Sequence, residues 1–581
     1  MEMLKNLHPR PQMTREKWKL LDGDWNFSFD REDSGVSQKW HKGIKETKVI
    51  KVPFTYETQL SGINQELFEP IVWYEREIEL TEGQDYLVHF EGADYFTQVW
   101  LNGEKIGEHR GGYTRFSFQI KAQQQKNTLI VRIEDTLLCS QPRGKQRWLR
   151  DNFGCWYVQT TGIWKSVWIE EVANTYITNL KLTPDVPQQA LVCEVQLNQY
   201  ERTEKYTINA TVLFEGRIIS QSSQSLAQEL NGMNLSVMDL ENTGWGVQLW
   251  SPETPSLYDL VLELWINEAC VDRVASYFGM RSIAIEGATI LLNGHSLYQR
   301  LILDQGYWEE SGLTPPSVEA LEIDVKRIKE MGYNGVRKHQ KTEDERFLYL
   351  CDKYGLLVWS EMPATYEFND QAIEMFTNEW LKIVKQNYSH PSIIIWVPFN
   401  ESWGIENIYT DKKQQKFTES IYYLTKSIDS ARPVITNDGW VHTISDIITL
   451  HDYEELIPLF NKRYQNKELI LSNQLMFNKN FFAFAKNYQY QGQPIIISEF
   501  GGIAFTNEKG WGYGNQVANQ SDFIERFDAI HQAIQGLDYV SGYCYTQLTD
   551  VEQEVNGLLT PDRKAKIDLA EVLRINLRRT H

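Results

Sequence analysis

Up to about residue 172, apolar and polar positions change places over short stretches, the two-residue period of strands that bury one face. Val72 to Leu80 alternates in part, Thr97 to Leu101 runs straight into Asn102-Gly103, and Asn127 to Ile133 reads as a further strand. An Asn-Gly pair after such a run predicts a two-residue hairpin, whose central residues both need positive φ. No helical pattern interrupts these runs, so residues 1–172 are expected to form a jelly-roll β-sandwich. Residues 173–282 repeat the texture, with strands predicted at Ala190–Leu197, Tyr206–Phe214 and Tyr258–Leu264. An immunoglobulin-like β-sandwich is the simplest reading, although no cysteine pair offers the inter-sheet disulfide of antibody domains.

From residue 283 to 581 the period changes. Short apolar runs occur at Leu297–Leu303, Asn334–Arg337, Leu356–Trp359, Ile393–Phe399, Pro433–Thr436, Ile447–Leu450, Pro494–Ile497 and Val540–Tyr545. Between several of them lie helical faces: Leu321, Val325 and Ile328; Ile373, Phe376, Trp380 and Ile383; Phe417, Ile421, Leu424 and Ile428; Phe523, Phe527, Ile530 and Ile534. The first is expected to stop at Gly332 and the last at Gly536. Eight buried strands with intervening helices predict a (β/α)8 TIM barrel, so the chain is a multidomain β plus α/β protein. Residues 437–446 look too short to hold a helix between the fifth and sixth strands.

Composition excludes more than it assigns. The net charge of −20 disfavours nucleic acid and anionic membrane as partners, since both reward a basic surface. Nineteen Trp and 29 Tyr fill sandwich cores in the main, but their apolar faces and polar edges also suit sugars. Six scattered cysteines form no CxxC pair, so no zinc site or disulfide framework is expected. The opening Met1 to His8 lacks an apolar signal core, and no run is long enough to span a membrane. These features fit a cytoplasmic enzyme without a cofactor, and they leave a homo-oligomer open.

In such barrels the reactive groups gather at the carboxyl ends of the strands. The fourth strand ends Phe399-Asn400-Glu401 and the seventh ends Ile497-Ser498-Glu499, each setting a carboxylate just past an apolar run. Two carboxylates facing across a cleft are the equipment of glycoside hydrolysis. A single strand-end glutamate is more often a salt-bridged structural acid; two at these strands are not.

At this point the chain resembles glycoside hydrolase family 2, the family of β-galactosidases, β-glucuronidases and β-mannosidases, over essentially its full length. The resemblance is carried by Val99-Trp100-Leu101-Asn102-Gly103, Gly111-Gly112-Tyr113-Thr114, Thr161-Gly162-Ile163-Trp164, Leu249-Trp250-Ser251-Pro252-Glu253 and Asn334-Gly335-Val336-Arg337. Cys351 to Gly355, His390-Pro391-Ser392, Asn400-Glu401 and Ser498-Glu499 continue it. It implies a retaining exo-glycosidase in which Glu401 is the acid/base and Glu499 the nucleophile. Asn400 would then hydrogen-bond the sugar 2-hydroxyl, and Arg337 would hold the nucleophile ionised.

The pocket departs from familiar relatives. The magnesium ligands that β-galactosidases carry after the third strand are not matched in Glu361 to Glu367, so no metal is expected. The Asn-x-Lys element of β-glucuronidases meets Asn556-Gly557-Leu558, without the lysine, which disfavours glucuronides. A β-galactosidase-like specificity follows, with arabinosidase or galactofuranosidase activity as an alternative and a non-catalytic carbohydrate-binding protein as another. Asp304, His339, Asp438, Trp440, His451, Tyr453 and Tyr545 fall at or past strand ends and are candidate substrate contacts. Asp304 can equally cap the turn that follows it, His451 can equally be a packed histidine, and Trp440 and Trp403 can serve as sugar platforms or close a rim. The basic stretch Gln141 to Trp148 reads first as a solvated loop, with a reach into the cleft as the alternative.

Overall fold

A computed structural model describes residues 7–239 and 246–578. The first six residues, part of the opening read for a signal segment, lie outside the described residues. The N-terminal unit packs a six-stranded antiparallel sheet against a four-stranded one. Trp25, Phe27, Val88, Phe90, Val131 and Ile163 sit in the layer between them, each at most 2% exposed. Strand Phe96–Leu101 turns through Asn102 (φ 52°) and Gly103 (φ 85°) into Glu104–Arg110, the hairpin that the Asn-Gly pair predicts. The second unit stacks sheets of three and four strands. In its strand Tyr206–Phe214, Tyr206, Ile208, Ala210 and Val212 are buried while Thr207, Asn209 and Thr211 are not, the alternation expected of a one-sided strand.

The third unit is the barrel. Its strands are β1 (Gln299–Asp304), β2 (Gly335–Lys338), β3 (Leu357–Glu361), β4 (Ile393–Val397), β5 (Asn437–Asp438), β6 (Ile448–His451), β7 (Ile495–Gly501) and β8 (Val540–Thr546). Seven of them form one curled parallel sheet in the order β4-β3-β2-β1-β8-β7-β6. The eighth, β5, pairs with Phe399–Asn400 beyond β4, and the His451 amide donates to the Gly439 carbonyl on the other side. The fifth strand therefore lies further along the chain than the run Pro433–Thr436 predicted, although Val434 still bridges Trp396. No helix is described between β5 and β6, as the short 437–446 connection required.

Helices α1 (Val318–Glu330), α2 (Glu345–Tyr354), α3 (Asp370–Asn387) and α4 (Lys412–Ile428) follow the first four strands. Ser317, Asp344, Asn369 and Asp411 cap their N-termini with side-chain oxygens. The predicted faces are the buried ones, complete in α1 at Leu321, Val325 and Ile328, but in α4 fully buried only at Ile421 among its four positions. Helix α1 stops one residue before Met331, and Gly332 follows with φ 81°.

Period-two alternation sorts the barrel's side chains. Leu301, Leu303, Trp359, Ile395, Val397, Ile496 and Cys544 fill the interior, whereas Ile302, Val336, Val358, Ile495 and Tyr545 pack outward under the helices. This sorting decides which strand-end groups meet.

Candidate active site

Glu401 stands directly after β4's continuation in the left-handed backbone region (φ 50°), and Ser402 follows at φ 59°. Such a conformation costs a non-glycine residue about 1–3 kcal/mol and persists only where the surroundings over-determine it. Here they do. The Glu401 amide donates to the Asp438 carbonyl at 2.8 Å, and the Ser402 amide donates to Asn437 Oδ1 at 3.0 Å. The turn lifts the Glu401 side chain to the rim, 17% exposed, while Asn400 stays fully buried.

On β7, pairing slips on both sides between Ile497 and Phe500. A bulge places two successive residues against one and re-aims their side chains. Ser498 and Glu499 therefore both turn inward: Ser498 Oγ donates to Asp438 Oδ1 at 2.7 Å, and Glu499 meets Arg337.

Arg337, fully buried on β2, is the hub. Nη1 lies 2.7 Å from Glu499 Oε1 and 2.8 Å from Asp438 Oδ2, Nε donates to Glu361 Oε2 at 2.8 Å, and Nη2 donates to Asn400 Oδ1 at 2.6 Å. With its Oδ1 taken by Arg337, Asn400 keeps a buried Nδ2 that has no partner among the described residues. A buried donor left unmade is costly, which sets this amide apart from the other side chains around Arg337. Burial pushes the Glu499 carboxyl up, but His451 and Arg337 outweigh it and hold Glu499 down at about 2.

His451 joins the two glutamates. Its Nδ1 lies 2.8 Å from Glu401 Oε1 and 3.4 Å from Glu499 Oε2, and its Nε2 lies 3.2 Å from Asp438 Oδ2. Burial would discharge the ring, yet Glu499 and Asp438 raise it to about 10. This direction favours the imidazolium form. Gly439 permits this packing: it adopts φ 105°, and a Cβ there would fall 2.7 Å from His451 Nδ1. One oxygen each from Glu401 and Glu499 and the histidine nitrogen all lie within 4.8 Å of one another, a spacing that would suit a small cation. In the structure these atoms pair with one another through His451 Nδ1, 2.8 Å from Glu401 and 3.4 Å from Glu499.

A hollow of about 510 Å3 opens over this group, lined among others by Glu401, Trp440, His451, Tyr453 and Tyr513. Trp440 stacks on Phe481 with centroids 4.0 Å apart, presenting a flat aromatic wall. Tyr453 donates its hydroxyl to Glu499 Oε2 at 2.5 Å and stacks on Tyr513 at 3.4 Å. His339, whose pKa burial lowers against the pull of Glu361, stands between Glu361 (3.1 Å) and Trp403 (centroids 6.0 Å). A larger hollow, about 690 Å3, opens between Glu57 and Glu552 and is lined by neither Glu401 nor Glu499.

Two predicted contacts are not part of this group. Asp304 shares the outward face of β1 with Ile302, ion-pairs with Lys338 at 2.7 Å and accepts from the Gly306 amide at 2.8 Å. The turn-capping alternative describes it. Tyr545 is the outward neighbour of Cys544 on β8 and packs on Phe500, Phe527 and His531. Both fell at strand ends, but alternation turns them from the cleft. Asp438 does face inward, where it pairs with Arg337 and His451 with no exposure, as a support beneath the hollow.

The stretch Gln141 to Trp148 is also corrected: residues 141–147 are buried, not solvated. Backbone amides of Arg143 and Gly144 donate to the Ala364 carbonyl at 2.8 and 3.2 Å, and Trp148 stacks on Tyr366 at 4.5 Å. The barrel thus has a wall supplied by the N-terminal unit. Glu361, which closes β3 as Glu499 closes β7, was not picked out as a site residue, although the same strand-end signal was available.

Comparison with known proteins agrees with this architecture. The family model of the glycosyl hydrolases family 2 sugar binding domain matches residues 18–171, that of glycosyl hydrolases family 2 matches 175–281, and the family 2 TIM barrel domain matches 283–576. A β-galactosidase of Thermoanaerobacter pseudethanolicus is 24% identical over 83% of this chain and 66% of its own length. A β-glucuronidase of Canis lupus familiaris is 24% identical over 85% of this chain and 79% of its own. Among solved structures, a GH2 β-galacturonidase from Eisenbergiella tayi superposes with a TM-score of 0.77 at 20% identity, covering 100% of both chains. The chain belongs to glycosyl hydrolase family 2 and is an O-glycoside hydrolase.

Proposed function

We propose that the protein removes a terminal sugar from an oligosaccharide or other glycoside with retained anomeric configuration, and that its specificity is β-galactosidase-like. The observation that supports the reading is the pair Glu401 and Glu499, each with an oxygen within 4.8 Å of the other and both beside the His451 ring. Retaining enzymes need carboxyl groups about 5–5.5 Å apart, whereas inverting ones leave room for a water at about 6.5–9.5 Å. In the first step Glu401 protonates the departing oxygen while Glu499, held ionised, attacks the anomeric carbon and forms an ester. In the second, Glu401 takes a proton from water, which releases the sugar. Asn400 Nδ2, which lacks a partner among the described residues, bonds the 2-hydroxyl in this reading, a contact that strengthens as the ring gains positive charge. Imidazolium His451 and Tyr453 compensate the negative charges as they move between the two glutamates.

The relatives' names support a sugar glycoside as substrate. Leu558, fully buried where β-glucuronidases keep their lysine, supports a neutral sugar. Six free cysteines fit a cytoplasmic location. A panel of 4-nitrophenyl furanosides and pyranosides, with Glu499→Ala as blank, tests the reading. Glu401→Ala should retain far more activity on aryl glycosides with good leaving groups than on alkyl glycosides, since general acid assistance contributes roughly 10²–10⁴-fold. Equal losses on both would remove Glu401 from that role.

A further inference from the structure

Lys145 belongs to the N-terminal unit, yet it reaches the barrel's strand ends, where the Trp403 ring beside it neighbours His339, itself 3.2 Å from Arg337. It is 4% exposed, and no carboxylate stands within ion-pair distance of its ammonium among the described residues. The ammonium instead sits 5.0 Å from the centre of the Trp403 ring and 5.9 Å from that of Tyr157. Trp403 is two residues beyond Glu401, and Tyr157 donates its hydroxyl to Glu554. Cys155, Glu554 and Glu499 all act on the Lys145 charge, and together they outweigh burial and keep it a cation.

The position is built with care. Tyr157 and Lys145 share a backbone hydrogen bond of 2.8 Å, and the Tyr113 hydroxyl donates to the Arg143 carbonyl at 2.8 Å. Gly144 takes φ 58° in a space where a Cβ would lie 2.3 Å from the Gln340 carbonyl oxygen. The ammonium hydrogen-bonds Cys155, and with no carboxylate paired to it the remaining N–H donors are free for another acceptor.

We infer that Lys145 is a specificity-determining residue, an ammonium brought by the N-terminal unit to donate a hydrogen bond to a neutral hydroxyl of the terminal sugar. A hydroxyl, not a carboxylate, is the partner because Glu361, Glu401, Glu499, Asp438 and Glu554 already crowd this side of the barrel. The inference rests on the glycosidase reading above.

The test compares wild type and Lys145→Met on the 4-nitrophenyl glycoside best cleaved in the panel and on its monodeoxy derivatives. A hydrogen bond from a charged donor predicts a loss in kcat/KM of roughly 10–100-fold on the parent sugar. On one deoxy sugar that ratio should collapse to near unity, while the other deoxy sugars keep it. A loss of the same size on every derivative marks a structural role and overturns the inference, as does no loss at all. A wild-type preference for the corresponding uronide also overturns it, because the partner would then be a carboxylate. Should Lys145→Met not fold, a structure of Glu499→Gln with the same glycoside decides: a sugar oxygen within about 3.2 Å of the ammonium is expected, and none nearer than about 5 Å contradicts it. Absence of turnover by wild type on all glycosides would instead defeat the glycosidase reading itself.

Discussion

Arg337 illustrates how one side chain sets the chemistry of another. Its guanidinium touches Glu499, Asp438 and Glu361, and the rigid fork also fixes Asn400 through Oδ1. Glu499 would sit high if burial acted alone; His451 and Arg337 together bring it to about 2. Glu499, the proposed nucleophile, is thereby favoured in its ionised form. Removing one of its two cations should raise the Glu499 pKa by roughly 1–3 units. Arg337→Gln is therefore expected to move the acid limb of the pH–rate profile upward, in addition to lowering kcat/KM. A lower rate with an unmoved limb would show that Arg337 only positions Asn400.

At the scale of elements, much was legible, and each exception has a physical cause. Apolar runs located the barrel strands, except that β5 falls at Asn437–Asp438, past the apolar residues that predicted it. Strand ends also nominated Glu401 and Glu499, because a carboxylate directly after a buried run is conspicuous. A strand end, however, names a height in the barrel and not a direction. Asp304 and Tyr545 sit at the right height on the outward face, and reading Leu301 and Leu303 as inward residues would already have excluded Asp304. Alternation alone does not place Glu499, since the slip after Ile497 breaks the period there. That bulge has no one-sequence signature. Lys145 was hidden for a different reason: a basic loop in a sandwich looks solvated until the surface that buries it is known.

For the whole molecule, the N-terminal unit is part of the active-site wall and of the barrel's stability. Lys165 donates to the Thr342 and Glu343 carbonyls, Arg115 pairs with Glu345, and Glu379 on α3 accepts from the Tyr113 amide at 2.7 Å. Burial pushes the Glu379 carboxyl up to about 7, against an ordinary value of 4.5, despite that amide. Between those two values the folded chain binds more protons than the unfolded one. Stability from this group therefore falls as pH rises through the window and stays lower above it. Glu379→Gln keeps an acceptor for Tyr113 and removes the charge. Its melting temperature should drop less than that of wild type between pH 5 and pH 8. Parallel drops in both proteins would mean that the seam is not under this strain.

The proposed mechanism passes through an ester between the sugar and Glu499. The most direct measurement is peptide mass analysis after incubation with an activated 2-deoxy-2-fluoro glycoside of the preferred sugar, whose fluorine slows release of the intermediate. The account predicts one sugar-sized mass increment on the peptide that contains Glu499, absent in Glu499→Ala. Turnover of the natural glycoside without any such adduct, or an adduct on another residue, would contradict it.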